Sequence, residues 1–319
     1  MNGYIAHTDR DWWDFLSARA DLQEINFWRP SSRGFAALAV GEPLFFRLKS
    51  PINRIAGFGL LSRFAVLPVW RAWDVFGAAN GVADEAGLLA RLNHLAVSPT
   101  PKAFTSRDAI GCIVLTSWTT IAREHWLAVP SSFSATNPSG ARIDLDDGEG
   151  RALWEACQSL AGIALPAVEG LPGRPAGDRS LEPPGGRHGR PRLVHPRLGQ
   201  ATFRLAVMDA YDGACAITGE RMLAALDVAH IRPWALDGEH VLANGLPLRR
   251  DVHRLFDLGY LSVDAAGRVL VSPRVESSGG GDGAYLQLAG LPLRAPRDPR
   301  AAPDPELLAW HARTVFRAD

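Results

Sequence analysis

At 319 residues the chain has room for about two domains. Apolar side chains make up 47% and charged ones 21%, a globular balance that excludes a disordered chain, and no apolar run reaches the roughly 18 residues a membrane-spanning helix needs. The formal charge is zero, which argues against a broad basic surface for gripping nucleic acid.

The N-terminal residues Met1 to Arg10 lack the basic-then-apolar pattern of a secretion signal, so a cytoplasmic location is expected. Ala6-His7-Thr8-Asp9-Arg10-Asp11-Trp12-Trp13 reads as a strand end, an acidic N-cap and an amphipathic helix. A strand follows at Ile25 to Trp28, then a short helix around Gly34 to Ala39. The Gly41-Glu42-Pro43 turn launches a strand from Leu44 to Lys49, and Ile55 to Val66 forms the next. Pro68 to Gly77 and Ala86 to Leu95 are helix-like, with Trp70 and Trp73 spaced for packing, and Ile110 to Leu115 is a buried strand. Residues 1–165 thus predict a mixed α+β domain with a curved sheet. Residues 166–199 turn to Pro, Gly and Arg and read as a linker. From 200 to 319 the pattern returns: a helix at Gln200 to Ala210, strands at Leu226 to Ile231 and Leu246 to Leu248, and helices at Asp251 to Leu258 and Pro305 to Phe316. The 32 arginines, against only Lys49 and Lys102, are what a GC-rich genome produces and carry no signal by number alone. Cys112, Cys157 and Cys215 are odd in number and far apart, so neither a disulfide framework nor a structural zinc is expected.

The chemistry concentrates in three segments of the last third. Leu226-Asp227-Val228-Ala229-His230-Ile231-Arg232-Pro233-Trp234 is followed by Asn244-Gly245-Leu246-Pro247-Leu248, then by Asp251-Val252-His253-Arg254-Leu255-Phe256-Asp257. His, Asn and His fall on strand, strand and helix, the order that brings the two histidines to one cleft. With Cys215-Ala216-Ile217-Thr218-Gly219 ahead of it, this set resembles the HNH (ββα-metal) endonuclease family, in its restriction-endonuclease branch; a weaker match is the terminal Leu308-Ala309-Trp310-His311. The resemblance implies a catalytic pair of His230, a general base taking a proton from water, and Asn244, a backbone clamp. It implies one divalent ion, Mg²⁺ or Mn²⁺, held by His253 with Asp257, one helical turn apart. Asp227 is a further candidate ligand. Its three-residue offset from His230 predicts the opposite face of a regular strand. Many members carry an Asp or His just before the base, and here that position is Ala229. Arg232, Arg249, Arg250 and Arg254 are candidate phosphate contacts. His240 and the remaining histidines have no such context and read as structural or surface residues.

In the first domain, Glu24 to Ser32, the Gly41-Glu42-Pro43 turn and Gly57-Phe58-Gly59 are similar in order to the PUA-like superfamily, including its EVE and SRA branches. The resemblance implies a curved sheet or barrel that holds a flipped, modified base. Trp12, Trp28 and Phe58 would supply stacking faces, and Asn26, Ser31 and Ser32 the polar groups. Together the two resemblances imply a modification-dependent endonuclease acting on double-stranded DNA, with modified cytosine as a candidate mark and a homodimer as a candidate cutting unit. A DNA-binding protein with a degenerate nuclease, or a structure-specific nicking nuclease, stays open.

Overall fold

A computed structural model describes residues 1–19, 21–95, 103–133, 140–161, 199–233, 236, 238–277 and 283–318. The chain divides into two compact units, Met1–Pro196 and Arg197–Asp319. Residues 166–198 of the stretch read as a linker lie outside the described residues.

The first unit is built on one seven-stranded sheet. Its elements run β1 (Asn2–Thr8), α1 (Arg10–Ser17), β2 (Glu24–Arg29), β3 (Pro43–Leu48), β4 (Arg54–Pro68), α2 (Val69–Phe76), α3 (Glu85–Leu95), β5 (Ala109–Thr120), β6 (Leu127–Ala128), β7 (Gly140–Asp144) and α4 (Gly148–Ala161). The strand order is β2-β5-β4-β3-β1-β7, with β6 on β4 and only β1–β3 parallel. Register shifts within β4, at Phe58/Leu60 and Leu61/Arg63, bend the two long central strands.

Consecutive residues of a strand face opposite sides, and Phe45 and Phe46 show what this sheet covers on each. Phe45 packs with Phe58 and with Trp154 of α4, whose buried Gly150, Leu153, Trp154 and Cys157 form one helical stripe. Phe46 packs with Trp12, Trp13 and Phe27 under α1. There the core is organised by Asn80. Its carbonyl accepts from the indoles of Trp12 (2.9 Å) and Trp28 (2.8 Å), and its side chain bonds Asn26 and the carbonyls of Ala72 and Gly77. Gly81 follows at φ +76°, where a Cβ would lie 2.1 Å from the Trp12 ring.

Two local expectations fail for visible reasons. No helix forms at Gly34 to Ala39, because side chains take its backbone groups: Arg142 donates to the Ala36 carbonyl, and Glu42 accepts from the Ala39 N–H. Asp9 flanks α1 without capping it; its carboxylate pairs with Lys49 at 2.6 Å.

The second unit runs α5 (Gln200–Ala210), β8 (Leu226–His230), β9 (Gly245–Arg249), α6 (Arg250–Asp257), β10 (Leu261–Val263), β11 (Val269–Val271), α7 (Arg274–Ser277) and α8 (Pro305–Thr314). β8 and β9 form an antiparallel hairpin over which α5 and α6 pack, around a core that includes Phe203, Val207, Leu246, Leu248, Val252 and Phe256. Among the described residues no helix is long and apolar enough to cross a membrane. All three cysteines are buried and unbridged; burial pushes the Cys112 and Cys157 thiols up to about 12.

Candidate active site

The hairpin is set by two residues that suit few other places. Pro247 sits opposite Val228 and has no N–H to give the ladder. Its carbonyl turns outward and accepts from Ala216 at 2.7 Å, while Cys215 Sγ accepts from Thr218 and Arg249 N–H. The Cys-Ala-Ile-Thr-Gly loop is thereby docked on the outer edge of β9. Gly245 is extended, not turned: a Cβ there would meet Val207 at 2.5 Å and Phe203 at 2.8 Å. The Asn-Gly pair marks close packing of α5 on β9.

Asn244 is 1% exposed, and every polar atom of its side chain is engaged. Oδ1 accepts from Arg232 N–H (2.8 Å), and Nδ2 donates to the carbonyls of Arg232 (3.0 Å) and Glu239 (2.9 Å). It brackets both ends of the connection between β8 and β9.

His230 ends β8 and stacks on Phe203 of α5, ring centroids 4.3 Å apart. Burial, then the neighbouring His240, His253 and Arg204, push its pKa down to about 4, so the ring is neutral at pH 7. His253 on α6 lies between two carboxylates: Asp227 Oδ2 is 3.7 Å from its Nδ1, and Asp257 Oδ2 is 3.4 Å from its Nε2. Arg204 of α5 pairs with Asp227. Burial raises the Asp227 carboxyl, but His253, Arg204 and the Val228 N–H outweigh it and hold it well below the usual range. Asp257 is raised by burial.

Arg204, Asp227, His230, His253, Asp257 and His311 line one cleft of about 510 Å³. Asp227 therefore shares a cavity with His230 and does not face away from it. The Val228 N–H faces away from β9, since Val228 and Pro247 form a non-hydrogen-bonded pair, and Asp227 Oδ1 bends along that outer edge to accept it at 2.8 Å.

The donor set is one imidazole and two carboxylates, which suits a hard divalent ion completed by water and phosphate oxygens. It is an open set. Among the described residues no group of three or more His, Cys, Asp or Glu is placed to hold a metal ion, and the two carboxylates address different ring nitrogens of His253.

None of the four arginines predicted to contact phosphate is among the residues lining this cleft. Arg249 is held by Asp251 through two bonds (2.6 and 2.7 Å), and Arg232 bonds the Leu236 carbonyl and lies over Trp310. Arg250 and Arg254 are exposed on α6. The arginine in the cleft is Arg204, which the sequence motifs do not include. His240 was also passed over, yet its Nδ1 is 3.0 Å from His230 Nε2. His311 stacks on Phe256 at 3.7 Å and meets Ser262 Oγ at 2.8 Å; burial pushes it down to about 4, partly offset by the Phe256 carbonyl.

In the first unit a cavity of about 240 Å³ is lined by Tyr4, Trp12, Phe27, Trp28 and Phe35, with His7, Arg29 and Lys49 among its polar groups. Trp12 and Trp28 line it while almost fully buried, their indole N–H groups bonded to the Asn80 carbonyl. Asn26 is fully buried and bonded to Asn80, Phe58 belongs to the opposite layer against Trp154, and Ser31 and Ser32 are not among the lining residues.

No curated protein sequence matches the chain. Two solved structures similar to it are the ASCH protein of Zymomonas mobilis, 13% identical with a TM-score of 0.32, and a tyrosine-to-phenylalanine mutant of that protein, 12% identical with a TM-score of 0.34. Each covers 48% of this chain, and 94% and 96% of those chains respectively is covered. Residues 215–264 match a family model described as HNH endonuclease. They span the docking loop, the β8–β9 hairpin and α6, so the second unit of this chain carries an HNH endonuclease domain.

Proposed function

We propose that the chain is a modification-dependent DNA endonuclease, in which the first unit selects duplex DNA and the second hydrolyses a phosphodiester bond. The observation that carries the nuclease half is the convergence of His230, His253, Asp227 and Asp257 on one cleft of an HNH domain. Neutral His230 takes a proton from the attacking water, and the resulting hydroxide attacks phosphorus. His253 with Asp257 on its Nε2 side would hold the divalent ion, Mg²⁺ or Mn²⁺, with Asp227 on the Nδ1 side as the further candidate ligand. When bound, that ion supplies charge neutralisation at the phosphate and at the departing 3′-oxygen. Arg204 reaches the same cleft and orients the phosphate, releasing part of its hold on Asp227. Asn244 keeps the base in place through the backbone on both sides of the connection.

The reader half rests on the aromatic cavity of the first unit, whose volume of about 240 Å³ has room for a single base. Tyr4, Phe35, Trp12 and Trp28 stack on a flipped, modified cytosine, while Lys49 and Arg29 meet its phosphates. Cutting both strands needs two nuclease units, so the active form on duplex DNA is a dimer or a transient pair. A second reading, a DNA-binding protein with a degenerate nuclease, is favoured by Ala229 and by the open ligand set.

Matched plasmids with cytosine, 5-methylcytosine or 5-hydroxymethylcytosine, incubated in Mg²⁺ or Mn²⁺ beside His230→Ala, separate these readings. Cleavage of a modified plasmid by the wild type alone is expected. Cleavage that ignores modification would remove the reader assignment and spare the nuclease. Inertness of both proteins on every substrate would favour the degenerate reading.

A further inference from the structure

We infer that His240 is a positioning residue for hydrolysis: it fixes the tautomer of His230, so that Nδ1 of His230 is the atom that takes the proton from water. The inference rests on the reading of His230 as general base.

The geometry begins with the 3.0 Å contact between His230 Nε2 and His240 Nδ1. A neutral imidazole carries one proton, so this hydrogen bond has two forms. If His240 donates from Nδ1, the Nε2 lone pair of His230 is consumed and its Nδ1 carries the proton. Neither nitrogen then remains to accept from water. If His230 donates from Nε2, His240 accepts and the Nδ1 lone pair of His230 is open. Among the described residues no hydrogen bond reaches His230 Nδ1, so none of them competes for it. Only the second form supports general-base chemistry. Once His230 gains its proton, the same Nε2–H bond becomes charge-assisted and steadies the imidazolium.

Two supports hold the two rings together. Both lie against Phe203, His230 stacked at 4.3 Å and His240 tilted at 5.5 Å. Their ring centroids are 5.0 Å apart. Asn244 fixes both backbones at once, through Arg232, two residues after His230, and through the Glu239 carbonyl, one residue before His240. The central residue of the motif thus clamps the pair as well as the hairpin. The water proton ends on His230 Nδ1, the hydroxide on phosphorus, and the P–O3′ bond breaks with its electron pair leaving on the 3′-oxygen, which takes a proton from solvent.

The test uses the full chain and two variants. His240→Phe keeps a ring beside Phe203 without an acceptor; His240→Asn places an amide oxygen near the position of Nδ1. Single-turnover cleavage of duplex DNA in Mn²⁺ is expected to fall roughly 10- to 100-fold in His240→Phe, the usual effect of removing such a supporting partner, with DNA affinity and melting temperature unchanged. His240→Asn is expected to recover most of the rate. In ¹⁵N-histidine NMR, with the His230 signals assigned by their loss in His230→Ala, the wild type is expected to show the Nε2–H tautomer at neutral pH and His240→Phe a shift toward Nδ1–H. A wild-type His230 protonated on Nδ1, or His240→Phe cutting at the wild-type rate, would overturn the inference. So would His240→Asn falling as far as His240→Phe. If His240→Phe does not fold, His240→Asn and the wild-type spectrum decide. A wild type that cuts no DNA overturns the nuclease reading, and the spectrum still decides the tautomer.

Discussion

Replacing Asn244 with alanine removes three hydrogen bonds from a site that is 1% exposed: one accepted from Arg232 N–H and two donated to the carbonyls of Arg232 and Glu239. Each contributes about 1 kcal/mol net, and more where the partner stays buried and unsatisfied, so the connection between β8 and β9 loses roughly 3 kcal/mol of local stability. At 1.4 kcal/mol per tenfold, that is on the order of a 100-fold faster opening. Hydrogen exchange followed by mass spectrometry on the intact chain reads this directly. Peptides covering residues 231–244 are expected to lose protection by about that factor, while peptides from β1 to β5 keep theirs. Asn244→Asp is an informative companion. It keeps the acceptor for Arg232 N–H but turns a carboxylate toward two carbonyls, so it is expected to be no better than alanine. Protection unchanged within threefold in Asn244→Ala would refute the bracket, and with it the account of how the two histidines are held.

Three further predictions follow from other parts of the molecule. His311 is 2% exposed with its pKa pushed down to about 4, below the 6.5 of the unfolded chain, so its contribution of about 3 kcal/mol is fully present above pH 6.5 and is lost as pH falls from 6.5 to 4. Urea unfolding across that window is expected to show the slope and His311→Asn to flatten it, with a residue left by His230; an unaltered slope would contradict the assignment. Asn80→Ala strips the side-chain bonds to Asn26, Ala72 and Gly77 and is expected to cost about 3 kcal/mol, or roughly 6–12 °C in the melting of the first unit read by tryptophan fluorescence. A melt within 2 °C of wild type would remove Asn80 from the centre of that core, on the same scale. Arg204→Gln frees Asp227 and removes a cleft cation, so KM for DNA is expected to rise roughly tenfold, the scale of one charge-assisted contact; an unchanged KM would place the phosphate elsewhere.

Much of the second unit was legible because each motif residue carries a local demand. Pro247 announces an outward-facing strand position, and His253 with Asp257 is an i, i+4 pair whatever surrounds it. What escaped depends on the third dimension. Arg204 enters the cleft from α5, some twenty residues before the hairpin, and His240 reaches His230 only because Asn244 folds their connection back. Strand alternation alone sends Asp227 away from His230, whereas its carboxylate bends to the outward-facing Val228 N–H at the edge of β8. In the first unit the strands were readable from alternation and turns, and the Leu153-Trp154-Cys157 spacing was an unused signal for α4. The aromatic residues were less readable. Trp28, Asn26 and Phe58 have the composition of a base pocket, but Asn80 and Trp154 draw two of them wholly into the core.

The most direct test of the central claim is single-turnover cleavage of duplex DNA, in Mg²⁺ or Mn²⁺, by the wild type and by His230→Ala. The account predicts metal-dependent cutting by the wild type and a rate lowered roughly 10²- to 10⁴-fold in the variant, the range for loss of a general base, with DNA binding retained. Equal rates in the two proteins would contradict it.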